Sequence, residues 1–343
     1  MDDALRLDER RAAARPIAPP SKPRRSAIRE NGVILAGLGA LALVSCVLFM
    51  TIDARGAWGF VLPFRGAKLA AMLLVGHAIA VSTILFQTIS ANRILTPSIM
   101  GFDAFYGLIQ TVLVFFAGAA FAAALDPKLL FTVETITLIG FASLLYGTLL
   151  STGARDIHRL LLSGVILGVL FRSVSGLMQR LIDPTEFVVV QDRLFASFNS
   201  VDTTLLGISA IVIAVVTLAV IRMLPVLDVL ALGREPAISL GIEHRRMVLI
   251  VLGIVASFVA VSTALVGPVA FFGLLVASLA RVLVGSREHA ATILAASLLA
   301  AIALVAGQTI LERVLGFDAV LGMVVEFIGG IVFLVLLLKR GTA

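Results

Sequence analysis

Residues 203–221 read TTLLGISAIVIAVVTLAVI, an apolar run with no charge between Asp202 and Arg222. About 20 such residues in α-helix cross roughly 30 Å, the thickness of a bilayer's hydrocarbon. The alternation of a membrane β-strand is absent. Ala, Leu, Val and Ile fill the run, and a helix satisfies its own backbone groups where water is missing. Working outward, comparable segments lie near 33–51, 67–90, 101–122, 131–152 and 158–181 on one side and near 246–266, 268–284, 290–312 and 319–338 on the other; with 202–222 they make ten. The segment 268–284 is short and follows Gly267-Pro268 at once, so a tight helical return is expected there rather than a straight span. Hydrophobic residues make up 60% of the 343-residue chain and charged residues 14%, with a mean hydropathy of +1.09. Soluble domains run near 45–50% and 25%, and one soluble core could not hide this much apolar surface. The fold class is therefore all-α, a polytopic membrane bundle of about ten helices.

The net charge of +6 does not point to nucleic acid, because no basic patch is interleaved with aromatic residues. Lys and Arg gather instead in the tail and short loops, as membrane orientation requires. Residues 1–30 are polar and rich in Arg, Ala and Pro, and read as a disordered basic cytoplasmic tail rather than a cleavable signal. With that tail inside, Arg93, Arg159, Arg234, Arg245, Arg246, Arg281 and Lys339 fall on the cytoplasmic side, and a smaller set including Arg65, Lys68, Arg193 and Arg313 falls outside. An even number of spans returns the C-terminus to the cytoplasm. The lone Cys46 lies in the first span and reads as a small buried hydrophobe.

Between the sixth and seventh spans, residues 223–246 read MLPVLDVLALGREPAISLGIEHRR, an amphipathic cytoplasmic island punctuated by Gly233 and Gly241. Short helices are expected at about 226–232 and 235–240. Short interfacial helices between Gly turns suit docking into a partner's groove; a plain interfacial loop is the alternative. Polar residues inside apolar spans are costly and often functional: His77, Gln87, Gln110, Arg172, Gln308 and Glu326 are of this kind. Each can contact substrate or pair within the bundle. Gly164 and Gly168 form a GxxxG pattern that permits close helix approach.

Several stretches carry a resemblance. Leu232-Gly233, Ala237 and Ser239-Leu240-Gly241 resemble the coupling loop of the FecCD family of ABC importer permeases. The run Leu265-Val266-Gly267-Pro268-Val269-Ala270-Phe271-Phe272-Gly273-Leu274-Leu275-Val276, ending in Arg281, is similar to that family's Gly-Leu signature. Leu73-Leu74-Val75-Gly76 with Gln87, Asn92, Pro97 and Gly101, and Arg159-Leu160-Leu161-Leu162-Ser163-Gly164-Val165, follow the same pattern in the same order. The sequence departs from it at Ala277-Ser278, where the family has Pro-His, and at Ala319-Val320-Leu321-Gly322, where it has Leu-Pro-x-Gly. The stretch Asn92–Asp103 is similar to the iron-siderophore branch.

The resemblance implies the permease subunit of an ATP-driven importer of ferric siderophores in the bacterial plasma membrane, embedded in membrane lipid. It implies a second permease, identical or related, two cytoplasmic ATPase subunits and an extracytoplasmic substrate-binding protein. The sequence has no GxxxxGK[ST] phosphate loop, so ATP and Mg are expected on the partner ATPase, with no cofactor on this chain. For ATPase coupling the candidates are Leu232, Gly233, Arg234, Glu235, Ala237, Leu240 and Gly241. For binding-protein docking they are Arg65, Lys68 and Arg313, with juxtamembrane snorkelling as the plain alternative. For the path and its gate they are His158, Arg159, Arg172, Gln87 and Glu326. The competing classes are a cobalamin, haem or metal-ion permease of the same family, an ion-driven secondary transporter, which often carries paired broken helices, and a membrane enzyme, for which the sequence offers no HExxH, GxSxG or Cys/His cluster.

Overall fold

The computed structural model describes residues 24–52, 58–151, 157–199, 201–285 and 288–313, with positions 321, 322, 324, 327 and 329–331. Side chains are described from residue 31 onward, except at 60, 148–151, 157 and 158. The chain runs α1 (Arg24–Thr51), α2 (Trp58–Ile89), a 3-10 turn (Pro97–Met100), α3 (Phe102–Ala117), α4 (Ala119–Ala124), α5 (Pro127–Ser151), α6 (Ile157–Gln179), α7 (Pro184–Arg193), α8 (Thr203–Leu230), α9 (Arg234–Ser239), α10 (His244–Val266), α11 (Phe272–Val284) and α12 (His289–Arg313). Among the described residues, α1, α2, α5, α6, α8, α10 and α12 each contain a stretch long and apolar enough to cross a membrane, while α3 and α11 are shorter apolar helices. The tenth expected span falls largely outside the described residues, although Leu321, Gly322, Val324, Phe327 and Gly329–Ile331 are helical.

Two spans form the centre. In α2 and α10 the apolar windows are 72% and 67% buried, whereas in α1 and α6 the figures are 17% and 22%, so the last two present most of their surface outward. One core cluster joins Leu85 and Phe86 of α2 to α3, α5, α8 and α10; a second joins Met72 and Val75 of α2 to α11 and α12. Helix α2 therefore belongs to both halves of the bundle. Phe102 and Phe105 of α3, Phe141 of α5 and Phe171 of α6 pack with ring centroids 4.6–6.1 Å apart, an arrangement that suits the aromatic quadrupole.

Glycine sets the closest approach. Gly101 has φ of +87° and lies against Gly168, and a Cβ on Gly164 would stand 2.8 Å from the Met100 Cα. The GxxxG of the fifth span is thus filled from within the chain, by the turn that precedes α3, and not by a partner.

The structure departs from the sequence expectation at several elements. The segment 101–122 is not one helix: Gly118, with φ of +83°, ends α3 and separates it from α4. The separate helix expected at 226–232 is the last part of α8, which continues through Pro225 to Leu230. A proline removes one backbone hydrogen bond, but the flanking Leu224, Val226, Leu227, Val229 and Leu230 all pack on the core and hold the helix together. Helix α7 was not anticipated; Asp183 caps it by accepting the Thr185 N–H at 2.9 Å, with Pro184 in its first turn. Helix α1 begins at Arg24, earlier than the boundary at residue 31, and residues 1–23 of the expected tail lie outside the described residues. The segment expected at 268–284 is the 13-residue helix α11, which begins at Phe272 after a non-helical link from Val266 and is shorter than the spans around it.

Candidate coupling surface and transport path

At one end of the bundle, here the coupling end, α8 gives way to the short helix α9. Its start and finish are set by backbone conformation. Gly233 has φ 101° and ψ 175°, a region open almost only to glycine, and Gly241 has φ of +83°. The Ala237 N–H donates to Gly233 O at 3.2 Å and the Ile242 N–H donates to Ala237 O at 3.0 Å. Ala237 is fully buried, whereas Leu232, Ile238 and Leu240 are 61%, 51% and 62% exposed. Arg234 and Glu235 are exposed as well. Of the seven coupling candidates, Arg234, Glu235 and Ala237 lie on α9 and Leu232, Gly233, Leu240 and Gly241 flank it, with Ala237 as the anchor and an apolar rim with a charge of each sign as the outer face. Exposed apolar side chains grouped between two membrane spans make this a candidate interaction surface.

The intramembrane polar residues separate into two groups. His77 places Nδ1 2.9 Å from Ser297 Oγ and Nε2 3.0 Å from Thr217 Oγ1, joining α2 to α12 and α8. Gln110 donates to Glu134 Oε1 and accepts from Arg193 Nη1 at 3.1 Å, while Arg193 Nη2 donates to Ala122 O at 3.0 Å. Gln308 donates to Asn199 Oδ1 and Glu312 Oε1 at 3.1 and 2.9 Å. These three residues are internal ties. Gln87 is also buried; its Nε2 donates to Arg93 O at 2.8 Å, and it walls a cavity of about 610 Å³ at the coupling end instead of facing an outer surface.

Arg172 differs. It is exposed on α6, beside Val169, Leu170 and Val174, which are exposed too. Its guanidinium folds back over Gly168, with Nη2 3.7 Å from where a Cβ there would stand. Helical side chains tilt toward the helix N-terminus, so the charge points deeper along the span and away from its nearer end at Gln179. Facing lipid, a charge at that depth is costly. Arg159 is exposed near the start of the same helix. The His158 side chain and all of Glu326 lie outside the described residues.

Two of the three docking candidates are corrected by the geometry. Arg65 is buried, and its Nη1 donates to the carbonyls of Phe49, Met50 and Ile52 at 3.1, 3.3 and 2.7 Å. It caps the C-terminal end of α1, where a cation also meets the negative end of the helix dipole. Lys68 is buried, pairs with Glu312 Oε1 at 3.0 Å and lies 4.7 Å from the Phe64 ring centroid. Neither presents its charge to a partner. Arg313, at the end of α12, is exposed.

Sequence reasoning missed Glu134, buried beside Gln110, although a carboxylate inside an apolar run carries the same signal that marked Gln110. It also passed over Thr88, Asp228 and His289, which sit at span edges and meet only in three dimensions.

Residues 32–339 match the FecCD transport family. This chain is a member of that family. The FecCD chain is 45% identical to the petrobactin import system permease protein YclO of Bacillus subtilis (strain 168), over 91% of its own length and 98% of the relative's. It is 32% identical to the petrobactin import system permease protein FatC of Bacillus anthracis, over 80% and 78%. Among solved structures, its fold resembles a metal-chelate type ABC transporter captured in an inward-facing conformation, with a TM-score of 0.78 at 22% identity, covering 90% of this chain and 99% of that one. The FecCD chain is thus a multi-pass membrane protein with the all-helical fold of an ABC transporter permease.

Proposed function

We propose that this FecCD chain is the permease subunit of an ATP-driven importer that carries a ferric siderophore across the bacterial inner membrane. Substrates of the petrobactin class are the first choice, because the relatives matched over most of the chain carry that name. The observation that carries the mechanism is α9: a short helix bracketed by Gly233 and Gly241, anchored by Ala237 and offering Leu232, Ile238 and Leu240 outward. That is the shape of a knob for a groove on a cytoplasmic ATPase. Gly233 and Gly241 let the chain turn sharply into and out of α9, and the buried Ala237 ties the knob to the bundle so that its motion is passed on.

The outward face of α6 supports a second permease, identical or related, with the path between the two subunits. The cost of a lipid-facing charge disappears if Arg172 lines a wet passage, and a ferric siderophore is often anionic. Arg159 and His158 begin α6 at the coupling end and are proposed as the cytoplasmic constriction; Glu326 is proposed to line the path from the last span. Gln87 serves from the cavity wall. An extracytoplasmic binding protein would dock at the opposite end, with Arg313 contributing orientation more than affinity. ATP and Mg are assigned to the partner ATPases, which leaves this chain a non-catalytic component.

The test is uptake of a panel of iron-loaded siderophores, with cobalamin and haem alongside, into proteoliposomes holding the complete complex. Uptake that requires ATP and favours a petrobactin-class ferric siderophore is the expected outcome. Uptake driven by an ion gradient with no ATPase present would overturn it.

A further inference from the structure

Asp228, His289 and Thr88 come from three helices and meet at the coupling end. Asp228 Oδ1 accepts both the backbone N–H of His289 at 2.9 Å and its Nδ1 at 2.6 Å. It thereby caps the first turn of α12 from a different helix. The other ring nitrogen, Nε2, lies 2.8 Å from Thr88 Oγ1 in the last turn of α2. Thr88 has one hydroxyl proton and two acceptors in reach, Nε2 and Ile84 O, the latter at 2.9 Å. Whichever it serves, the imidazole can donate or accept to complete the set.

The place of Asp228 in α8 gives the cluster its meaning. It lies beyond Pro225, whose missing N–H leaves the helix one bond short between its membrane body and its final turns. Those final turns run directly into Leu232 and α9. On the side away from the core they border the cavity of about 610 Å³ that Asp228 and Leu232 share with Thr88 and His289. Core packing of Leu227 and Leu230 holds one side of these turns; on the cavity side the hydrogen bonds of Asp228 to His289 hold them.

Helices α2 and α12 are tied at two further levels. His77 meets Ser297 at mid-span, and Lys68 meets Glu312 near the opposite end. Lys68 and Thr88 are about 30 Å apart along α2 at the α-helical rise, so the pair is fastened over nearly the thickness of a membrane. Between these ties Gly76 lets the helices close up, since a Cβ there would stand 3.1 Å from Leu304 and 3.2 Å from Ala300.

We infer that Asp228, His289 and Thr88 form a positioning clasp that joins the coupling segment to the α2–α12 pair, so that movement of α9 about Pro225 drives that pair as a unit. This role rests on the importer reading above. The clasp touches neither nucleotide nor substrate; it acts by fixing the element that does the coupling.

The test uses the complete complex in proteoliposomes and reads ferric siderophore transported per ATP hydrolysed. Thr88→Val is near-isosteric and removes only the hydroxyl link; Thr88→Ser restores it. His289→Ala removes both ring contacts and keeps the backbone cap on Asp228. For Thr88→Val the transported amount per ATP should fall by about fivefold, the factor that loss of one hydrogen bond produces in a two-state ratio, and for His289→Ala, which loses two contacts, it should fall by at least as much. Binding-protein-stimulated hydrolysis should persist, and Thr88→Ser should match the parent. An unchanged ratio in both variants, even with a lower melting temperature, would overturn the clasp and leave a purely structural contact. A parent complex that shows no ATP-driven uptake would instead overturn the functional reading, and the clasp's role with it.

Discussion

Helix α6 carries two glycines for which the same substitution should have opposite effects. A Cβ at Gly164 would stand 2.8 Å from Met100 Cα, 3.1 Å from its Cβ and 3.2 Å from its carbonyl oxygen. Two of these are backbone atoms and cannot rotate away. Carbon pairs settle near 3.5–4.0 Å, so Gly164→Ala must push α6 from the Met100–Gly101 turn by roughly 1 Å. Overpacking of this kind costs about 1–3 kcal/mol. Against it stands the helix-forming advantage of Ala over Gly, up to about 1 kcal/mol. A Cβ at Gly176 meets nothing within 4 Å, so Gly176→Ala keeps the advantage without the clash. The two variants should differ by about the overpacking cost, with Gly164→Ala melting several degrees below Gly176→Ala. Circular dichroism melts of the purified protein in one detergent would measure this. Equal melting temperatures, or a higher one for Gly164→Ala, would refute the claim that the small residues of α6 are packed against the pre-α3 turn.

Three further outcomes are expected. Gly233→Ala meets no atom within 4 Å, but its backbone lies where L-residues are strained by about 1–3 kcal/mol; transport per ATP should drop while the melting temperature falls by no more than a few degrees, and normal transport would count against the coupling role of α9. Lys68→Met leaves Glu312 charged and buried, a loss of about 3–5 kcal/mol that the double variant Lys68→Met/Glu312→Leu should largely recover; a normal melting temperature with lost binding-protein stimulation would instead restore Lys68 as a docking residue. Asp202 accepts the N–H of Leu205 and that of Thr204 at the start of α8, which holds its carboxyl below the usual 3.8. The folded state favours the ionised form, so its contribution is present above the ordinary carboxylate range and lost as the pH falls through the folded-state value. Asp202→Ala should cost about 1 kcal/mol at pH 7, and the gap from the parent should close in acid; a gap independent of pH would refute the cap.

Membrane class, helix type and the approximate spans were legible in the chain because hydropathy is a local quantity. Any window such as 203–221 reports its own solvent preference without reference to the rest. The turns that bracket α9, the candidate coupling element, were legible for a similar reason, since Gly233 and Gly241 mark positions where the backbone itself restricts the residue. Pairing is not local. Arg65 and Lys68 look like outer loop charges in sequence, and only the approach of α1 and of Glu312 turns them inward. Asp228 and His289 stand 61 positions apart, and nothing in either neighbourhood announces the other. Pro225 misled because its local effect, one missing hydrogen bond, was smaller than the packing of the apolar residues around it. The sequence alone thus determined which solvent each segment seeks and where the backbone must turn. The tertiary structure decided that Arg65 and Lys68 find partners inside and that Arg172 faces outward, because those outcomes depend on distances between segments that no single stretch of chain encodes.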